Sequence, residues 1–246
     1  MILVPGVVRL GPVRLPVYGL FAAVGLIAAL WLSLKTAKLV GLAPEPVWDA
    51  GLFGVAAAFV ISRLLLIDGD VRAFLHVPVA LLAMPSFTYV GMAFTALAVL
   101  AYLRCKRLPL LKIADAWAPC AAALAAMLSL GRFFEGTDLG MPTSLPWGTV
   151  VPGSAGLMHL QPVAIYGAIA SGLLVVVLMG LLQRRPWAGS VAGVALLAGG
   201  VASFLLDMIT QPVESGGRGW LDPAQWVAVG AMLVGGLLLT FLKEIA

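Results

Sequence analysis

The pattern of apolar positions along the chain is that of a helical membrane protein. A bilayer core of about 30 Å requires about 20 apolar residues in a helix, and seven stretches satisfy this requirement. We predict spans at residues 17–36, 48–67, 79–103, 111–130, 163–182, 188–209 and 224–242. The pattern therefore predicts an all-α polytopic fold of about seven transmembrane helices, arranged as a single transmembrane domain over residues 1–246.

Composition supports the membrane assignment. Hydrophobic residues make up 62% of the 246 residues and charged residues 11%, whereas a soluble domain carries about 25% charged residues. The net charge of +4 fits lysines and arginines in cytosolic loops, so no nucleic-acid partner is expected. Cys105 and Cys120 lack metal-ligand spacing. We therefore expect neither a metal site nor a cofactor.

The basic residues predict how the chain crosses the membrane. Cytosolic loops carry an excess of lysine and arginine. One set of loops holds nine such residues: Lys35, Lys38, Arg104, Lys106, Arg107, Lys112, Arg184, Arg185 and Lys243. The other set holds five: Arg9, Arg14, Arg72, Arg132 and Arg218. The amino terminus is thus predicted outside and the carboxyl terminus in the cytosol, with outer loops at 131–162 and 210–223.

Three charged residues lie at least two residues inside a predicted span, where each is a candidate for function. Arg63 either holds a phosphate with its planar guanidinium or extends to the headgroups. Asp115 is better explained as an aspartate near a helix start, stabilised by the helix dipole. Asp207 either binds a cation or an arginine or is an interfacial carboxylate. His76 and His159 lack partners at catalytic spacing and are predicted to be solvated.

The segment after the fourth span is the strongest candidate for a ligand site. Between Gly131 and Thr143 it combines Arg132 with two further glycines, Gly136 and Gly140. Glycines permit tight turns and close approach of the backbone to a ligand. The segment, together with Arg63, therefore predicts a pocket for an anionic lipid headgroup.

The order of several motifs resembles the prolipoprotein diacylglyceryl transferase family over nearly the whole chain. A tyrosine–glycine pair opens the first span, an arginine lies in the second, and a basic loop precedes Asp-x-x-Ala-Pro in the fourth. A glycine-rich loop and a Pro-x-x-x-Tyr motif follow. These segments are Gly11–Leu20, Ser62–Arg63, Lys106–Pro119, Gly136–Gly148 and Pro162–Tyr166. The family's outer amino terminus and cytosolic carboxyl terminus agree with the charge count.

The chain departs from the family pattern at several polar positions. Tyr89 stands where the family has a histidine at the start of the third span. Arg132 lies one helical turn from Ser129, the position of a family arginine, and can take its place. The remaining replacements put Arg132 in place of an asparagine, Gln161 in place of a histidine, and Ser203 and Asp207 in place of an arginine–glutamate pair.

The resemblance implies transfer of a diacylglyceryl group from phosphatidylglycerol to the cysteine of a lipoprotein precursor, in the bacterial inner membrane. The candidate catalytic residues are Tyr18, Tyr89, Arg132 and Asp207, and the candidate phosphate-binding residues are Arg63, Arg132, Gly136 and Gly140. The departures leave two alternatives open. One is a non-catalytic paralogue that binds lipid, a lipobox peptide or a membrane partner protein; the other is a different lipid-linked transfer or transport.

Overall fold

Seven helices dominate the described part of the chain. The computed structural model describes residues 7–10, 13–69, 88–137, 140–153, 156–184, 187–211 and 221–245. The helices are α1 (Val17–Leu39), α2 (Pro44–Gly69), α3 (Tyr89–Cys105), α4 (Leu110–Glu135), α5 (Val163–Gln183), α6 (Ser190–Met208) and α7 (Pro223–Ile245). Each overlaps one predicted span.

Six of these helices are long and apolar enough to cross a membrane, and α3, with 17 residues, is a shorter apolar helix. The predicted third span began at residue 79, and residues 79–87 lie outside the described residues. The fourth span extends further than predicted. Residues 131–135, assigned to the outer loop, form the last turn of α4, which continues to a left-handed Gly136.

Two small hairpins add strands that the all-α prediction did not include. The first pairs β1 (Val7–Leu10) with β2 (Val13–Pro16), and the second pairs β3 (Thr149–Gly153) with β4 (Gly156–Leu160). Both are antiparallel two-stranded sheets. Each strand has four or five residues, so the hairpins leave no signal in a search for spans of 20 residues.

Helix α4 packs antiparallel against α1, with glycines at the points of closest approach. A Cβ atom on Gly25 would lie 2.7 Å from the Cβ of Met127. One on Gly131 would lie 3.0 Å from the Cβ of Phe21. Helices in membranes approach closely where a small residue on one of them makes room, and here each glycine accommodates a large side chain of the other helix. The start of α1 and the end of α4 therefore lie at one end of the bundle, called here the outer end.

The pair α6 and α7 is packed closely at two points, two turns apart along α6. A Cβ atom on Gly235 would lie 2.7 Å from the carbonyl oxygen of Gly193, and one on Gly200 would lie 2.8 Å from that of Ala228. Both distances are shorter than any real Cβ contact, so these positions accept no side chain. The backbones of the two helices are thus in direct contact.

The other end of the bundle, called here the inner end, is held by a buried carboxylate. Asp115 of α4 is 4% exposed. Its Oδ2 accepts a hydrogen bond from the Gly189 amide at 2.6 Å, and its Oδ1 accepts one from the Ala192 amide at 2.8 Å. Asp115 therefore caps the start of α6. The sequence placed Asp115 one turn into its own helix, and it is the sixth residue of α4. Its hydrogen bonds, however, go to the start of α6.

Candidate functional site

The sequence-predicted site residues fall at the outer end of the bundle. Helices α1, α3 and α5 begin there, and α2, α4 and α6 end there. Tyr18 is the second residue of α1, Arg132 lies in the last turn of α4, and Asp207 lies in the last turn of α6. Three loops are hydrogen-bonded to one another at this end, as described below.

Aromatic packing fixes the last turn of α4 against the start of α1. The rings of Phe21 and Phe134 stack with centroids 5.2 Å apart, and Phe133 meets Phe134 edge-on at 5.6 Å. The helix ends at Gly136, whose φ of 74° is in the left-handed region that favours glycine. These contacts keep residues 131–135 helical, so Arg132 projects from a rigid helix rather than from a loop.

The guanidinium of Arg132 lies over Ser129. Its Nη2 donates a hydrogen bond to the Ser129 Oγ at 3.3 Å. Ser129 is 4% exposed and faces α5, because a Cβ atom on Gly167 would lie 3.1 Å from the same Oγ. The spacing of one helical turn predicted this proximity. The positive charge of Arg132 therefore occupies the space to which the side chain at position 129 points.

Tyr18 lies beside the same turn of α4. A Cβ atom on Gly131 would lie 3.2 Å from the Cδ2 of Tyr18 and 3.3 Å from its Cα. Glycine at 131 is what permits this contact, since any side chain would push the ring away. The structure thus brings two of the predicted catalytic residues, Tyr18 and Arg132, onto neighbouring faces of α1 and α4.

The glycine-rich loop after α4 is hydrogen-bonded to the start of α5 and the end of α6. The Gly140 amide donates to the carbonyl of Gln161 at 3.2 Å, and the Met141 amide donates to that of Ile209 at 2.9 Å. The side-chain amide of Gln211 donates to the carbonyl of Gly140 at 3.2 Å. The loop therefore lies next to the last turn of α6, which carries the half-buried Asp207.

The two glycines predicted to bind phosphate have structural roles in this loop. The amide of Gly136 donates to the carbonyl of Arg132 at 2.9 Å, and that of Gly140 donates to Gln161. A Cβ atom on Gly140 would lie 2.8 Å from the Cβ of Gln161, so only glycine fits there. Both amides are engaged within the protein. The glycines therefore shape the loop, and a phosphate in this pocket would be held by side chains.

Arg63 and Tyr89 lie on the neighbouring pair, α2 and α3. Arg63 is 6% exposed, and its Cζ lies 5.0 Å from the centroid of the Phe59 ring. This burial favours a held guanidinium over one that extends to the headgroups. Tyr89 begins α3 and is 51% exposed. A Cβ atom on Gly91 would lie 3.3 Å from the Leu65 Cδ1, so both residues lie at the outer end of this pair.

Sequence reasoning missed a polar contact in the outer loop. The indole Nε1 of Trp147 donates to the Oη of Tyr166 at 2.8 Å and links the loop before β3 to the first turn of α5. Tyr166 was visible only as part of the Pro-x-x-x-Tyr motif. His159 is exposed, as predicted. His76 lies outside the described residues.

These features define a multi-pass helical membrane protein with charged and phenolic side chains gathered at one end of its helices. The chain belongs to the prolipoprotein diacylglyceryl transferase family, whose sequence model matches residues 5–241. It is similar to a phosphatidylglycerol–prolipoprotein diacylglyceryl transferase of Methylococcus capsulatus, with 29% identity over 96% of this chain and 94% of the relative.

Two other relatives carry the same name. That of Photobacterium profundum is 27% identical over 96% of this chain and 91% of its own length. That of Clostridium tetani is 25% identical over 89% of both chains. The similarity thus extends along the chain and includes both the bundle and the outer loops.

Proposed function

We propose that this protein transfers the diacylglyceryl group of phosphatidylglycerol to the cysteine of a lipoprotein precursor. The contact between Arg132 and Ser129 is the observation that carries the proposal. The family resemblance puts an arginine at position 129, and here a guanidinium from the next turn lies beside that position. A site that has lost one arginine has therefore kept a cation nearby. The names of the relatives point to the same reaction.

The reaction has two requirements that the outer-end residues can satisfy. The thiolate sulfur forms a bond to the glyceryl carbon, the bond from that carbon to the phosphate oxygen breaks, and glycerol phosphate leaves with the electron pair. A cysteine thiol has a pKa of about 8.5, so a base must take its proton. Cations and hydrogen-bond donors must hold the leaving phosphate.

We assign Arg132 and Arg63 to the phosphate, because a guanidinium can hold two of its oxygens at once. Tyr18 and Tyr89 donate hydrogen bonds from their phenols as negative charge develops on the leaving group. Asp207 accepts the thiol proton. Gly136 and Gly140 keep the loop close to the ends of α5 and α6, which sets the shape of the pocket.

The proposal includes a location and an orientation. The protein is a single transmembrane domain of seven spans in the bacterial inner membrane, with its amino terminus outside and its carboxyl terminus in the cytosol. The nine-to-five distribution of basic residues supports this orientation. The lipid and the lipobox peptide then reach the site from the outer leaflet, where secreted precursors emerge.

Transfer to a lipobox peptide in vesicles that contain phosphatidylglycerol tests the activity directly. We expect the purified protein to form the thioether, and Tyr89→Phe to slow it by about 100-fold, as loss of one oxyanion donor does. Tyr102→Phe is the matched control, because Tyr102 stacks on Phe53 away from the site, with centroids 4.4 Å apart. If the wild-type protein transfers no diacylglyceryl group, the enzyme assignment fails and the non-catalytic paralogue replaces it.

Cysteine labelling tests the orientation. Cys105 is exposed at the end of α3, so we expect a membrane-impermeant thiol reagent to reach it only after the cytosolic face is opened. In a Cys105→Ser background, Ser144→Cys in the outer loop should react in intact spheroplasts. Labelling of Cys105 in intact spheroplasts would reverse the orientation.

A further inference from the structure

A long apolar groove runs between α2, α3 and α4, apart from the charged residues of the outer end. Its volume is about 710 Å³. Along most of its length it is lined by apolar side chains, among them Ala58, Val99, Leu103, Ile113 and Trp117. Gly91 and Leu103 of α3 both line it, and the twelve residue steps from one to the other along the helix span about 18 Å. The groove therefore runs parallel to the helices, through most of the membrane.

Ser62 lies at the outer end of this groove and is the unusual residue in its lining. It is 7% exposed, and among the described residues its Oγ has no hydrogen-bond partner. A buried hydroxyl without a partner is unfavourable, because it has lost its bonds to water and gained none. Its position in the groove indicates that an acceptor arrives with a ligand.

Buried core residues line the inner end of the groove. Leu103 and Ile113 are 4% and 1% exposed and belong to a buried core cluster with Ala37, Val47 and Ala50. A ligand that enters from the outer end must therefore stop at this cluster. The groove has a polar outer end, an apolar body and an inner end lined by buried core residues.

We infer that this groove holds one acyl chain of the donor phospholipid and that Ser62 donates a hydrogen bond to the ester carbonyl of that chain. The inference rests on the proposed function and adds to it a residue that positions the lipid. An ester carbonyl lies just below the headgroup phosphate, and Arg63, the next residue after Ser62, is assigned to that phosphate. A transmembrane peptide helix fits less well, because its backbone carbonyls are already bonded within the helix.

The core cluster at the inner end makes the groove sensitive to chain length. A chain that is too long for the groove must leave methylenes in a less favourable place or lift its carbonyl away from Ser62. Substitutions that fill the groove should therefore shift selection toward shorter chains. Ala96 of α3 lines the groove and is exposed at its rim, so Ala96→Leu narrows it without disturbing the core. Ala93→Leu, on the same helix and also exposed, does not enter it and is the matched control.

Native mass spectrometry of the full chain tests this arrangement. The protein is taken from vesicles that hold equal amounts of a short-chain and a long-chain phosphatidylglycerol, and the ratio of retained lipids is measured. We expect Ala96→Leu to shift the ratio toward the short chain by about twofold for each methylene kept out of the groove, because that methylene exchanges close packing in the groove for the looser packing of the bilayer. Ala93→Leu should keep the wild-type ratio. An unchanged ratio in a folded Ala96→Leu protein would overturn the inference.

The hydroxyl is tested separately with Ser62→Ala. We expect the retention of phosphatidylglycerol to fall about fivefold, the effect of one lost hydrogen bond. In lipid-free detergent the melting temperature should stay the same or rise, because an unpartnered donor has been removed. Ser203→Ala, at an exposed position of α6, should change neither quantity. A lower melting temperature with unchanged retention would assign Ser62 to the fold and reject the inference.

These measurements test the acyl-chain site independently of the transferase activity. If the lipid ratios shift as expected but no thioether forms, the acyl-chain site stands and the transferase assignment fails. If the thioether forms but the ratios do not respond to Ala96→Leu, the transferase assignment stands and the groove has another occupant.

Discussion

The two ends of α4 each carry a charged residue, and the surroundings of the two differ. At the inner end, Asp115 is 4% exposed, and each of its oxygens accepts a backbone amide of α6. At the outer end, Arg132 is half-buried and reaches back along its own helix to Ser129. A carboxylate bound to two amides has a complete structural role, whereas a guanidinium with five donors can hold a serine and a phosphate together.

The comparison teaches how to interpret a charge within a membrane span. Such a charge indicates function by default. The kind of partner it has then shows whether its role is structural or functional. Backbone partners on another helix, as at Asp115, tie the fold together. A side-chain partner at the end of a helix, as at Arg132, is what we expect of a charge that serves a ligand. The two ends should therefore respond differently to substitution.

The largest effect is expected at the outer end, on catalysis. Arg132→Ala should slow diacylglyceryl transfer by about 100-fold to 1,000-fold, which corresponds to about 3–4 kcal/mol of lost transition-state stabilisation. The melting temperature should stay close to that of the wild type, because the helix end is held by the Phe21–Phe134 stack. Arg104→Ala, an exposed arginine at the inner end, is the control. An Arg132→Ala enzyme with a normal rate would remove Arg132 from the site.

The second effect is expected at the inner end, on stability. Asp115→Ala leaves the amides of Gly189 and Ala192 buried without partners, so the free energy of unfolding should fall by about 2 kcal/mol. Asp115→Asn keeps one acceptor oxygen, so its free energy of unfolding should lie between that of Asp115→Ala and that of the wild type. Reversible unfolding in mixed detergent micelles measures the free energies of unfolding of these variants. Asp49→Ala, at an exposed position, is the control. Loss of transfer without any loss of stability would make Asp115 a site residue.

The smallest effect is expected in the outer loop, on local stability. Trp147→Phe removes an exposed hydrogen bond of 2.8 Å, the one between the Trp147 indole and the Tyr166 hydroxyl. We expect a loss of less than about 1 kcal/mol in stability, as for an exposed hydrogen bond. Hydrogen exchange in residues 140–150 should increase, because the loop has lost a link to α5. Trp226→Phe, an equally exposed tryptophan on α7, should leave that exchange unchanged.

The sequence predicted the helices well because runs of about 20 apolar residues occur in few structures other than transmembrane helices. It placed the end of α4 five residues early, because the packing of Phe134 against Phe21, which holds the last turn, is not visible in the sequence. It missed the hairpins because four or five β-branched or apolar residues are too few to stand out.

The site was only partly predictable for a similar reason. The proximity of Arg132 to Ser129 follows from helical spacing alone. The partner of Asp115 does not, because Gly189 is 74 residues away in the chain. The link between Gln211 and Gly140, 71 residues apart, is equally invisible without the fold. Contacts within one helix could be predicted, and contacts between distant segments needed the structure.

The close contact of α6 and α7 has a consequence for how this family can diverge. Gly193, Gly200 and Gly235 meet the backbone of the opposite helix, so a mutation that adds even one carbon there forces the two helices apart. A change from histidine to tyrosine at position 89, by contrast, alters an exposed side chain and leaves the packing alone. Mutations can therefore change the residues of the site while the helix packing is retained, so the reaction and the fold can evolve separately.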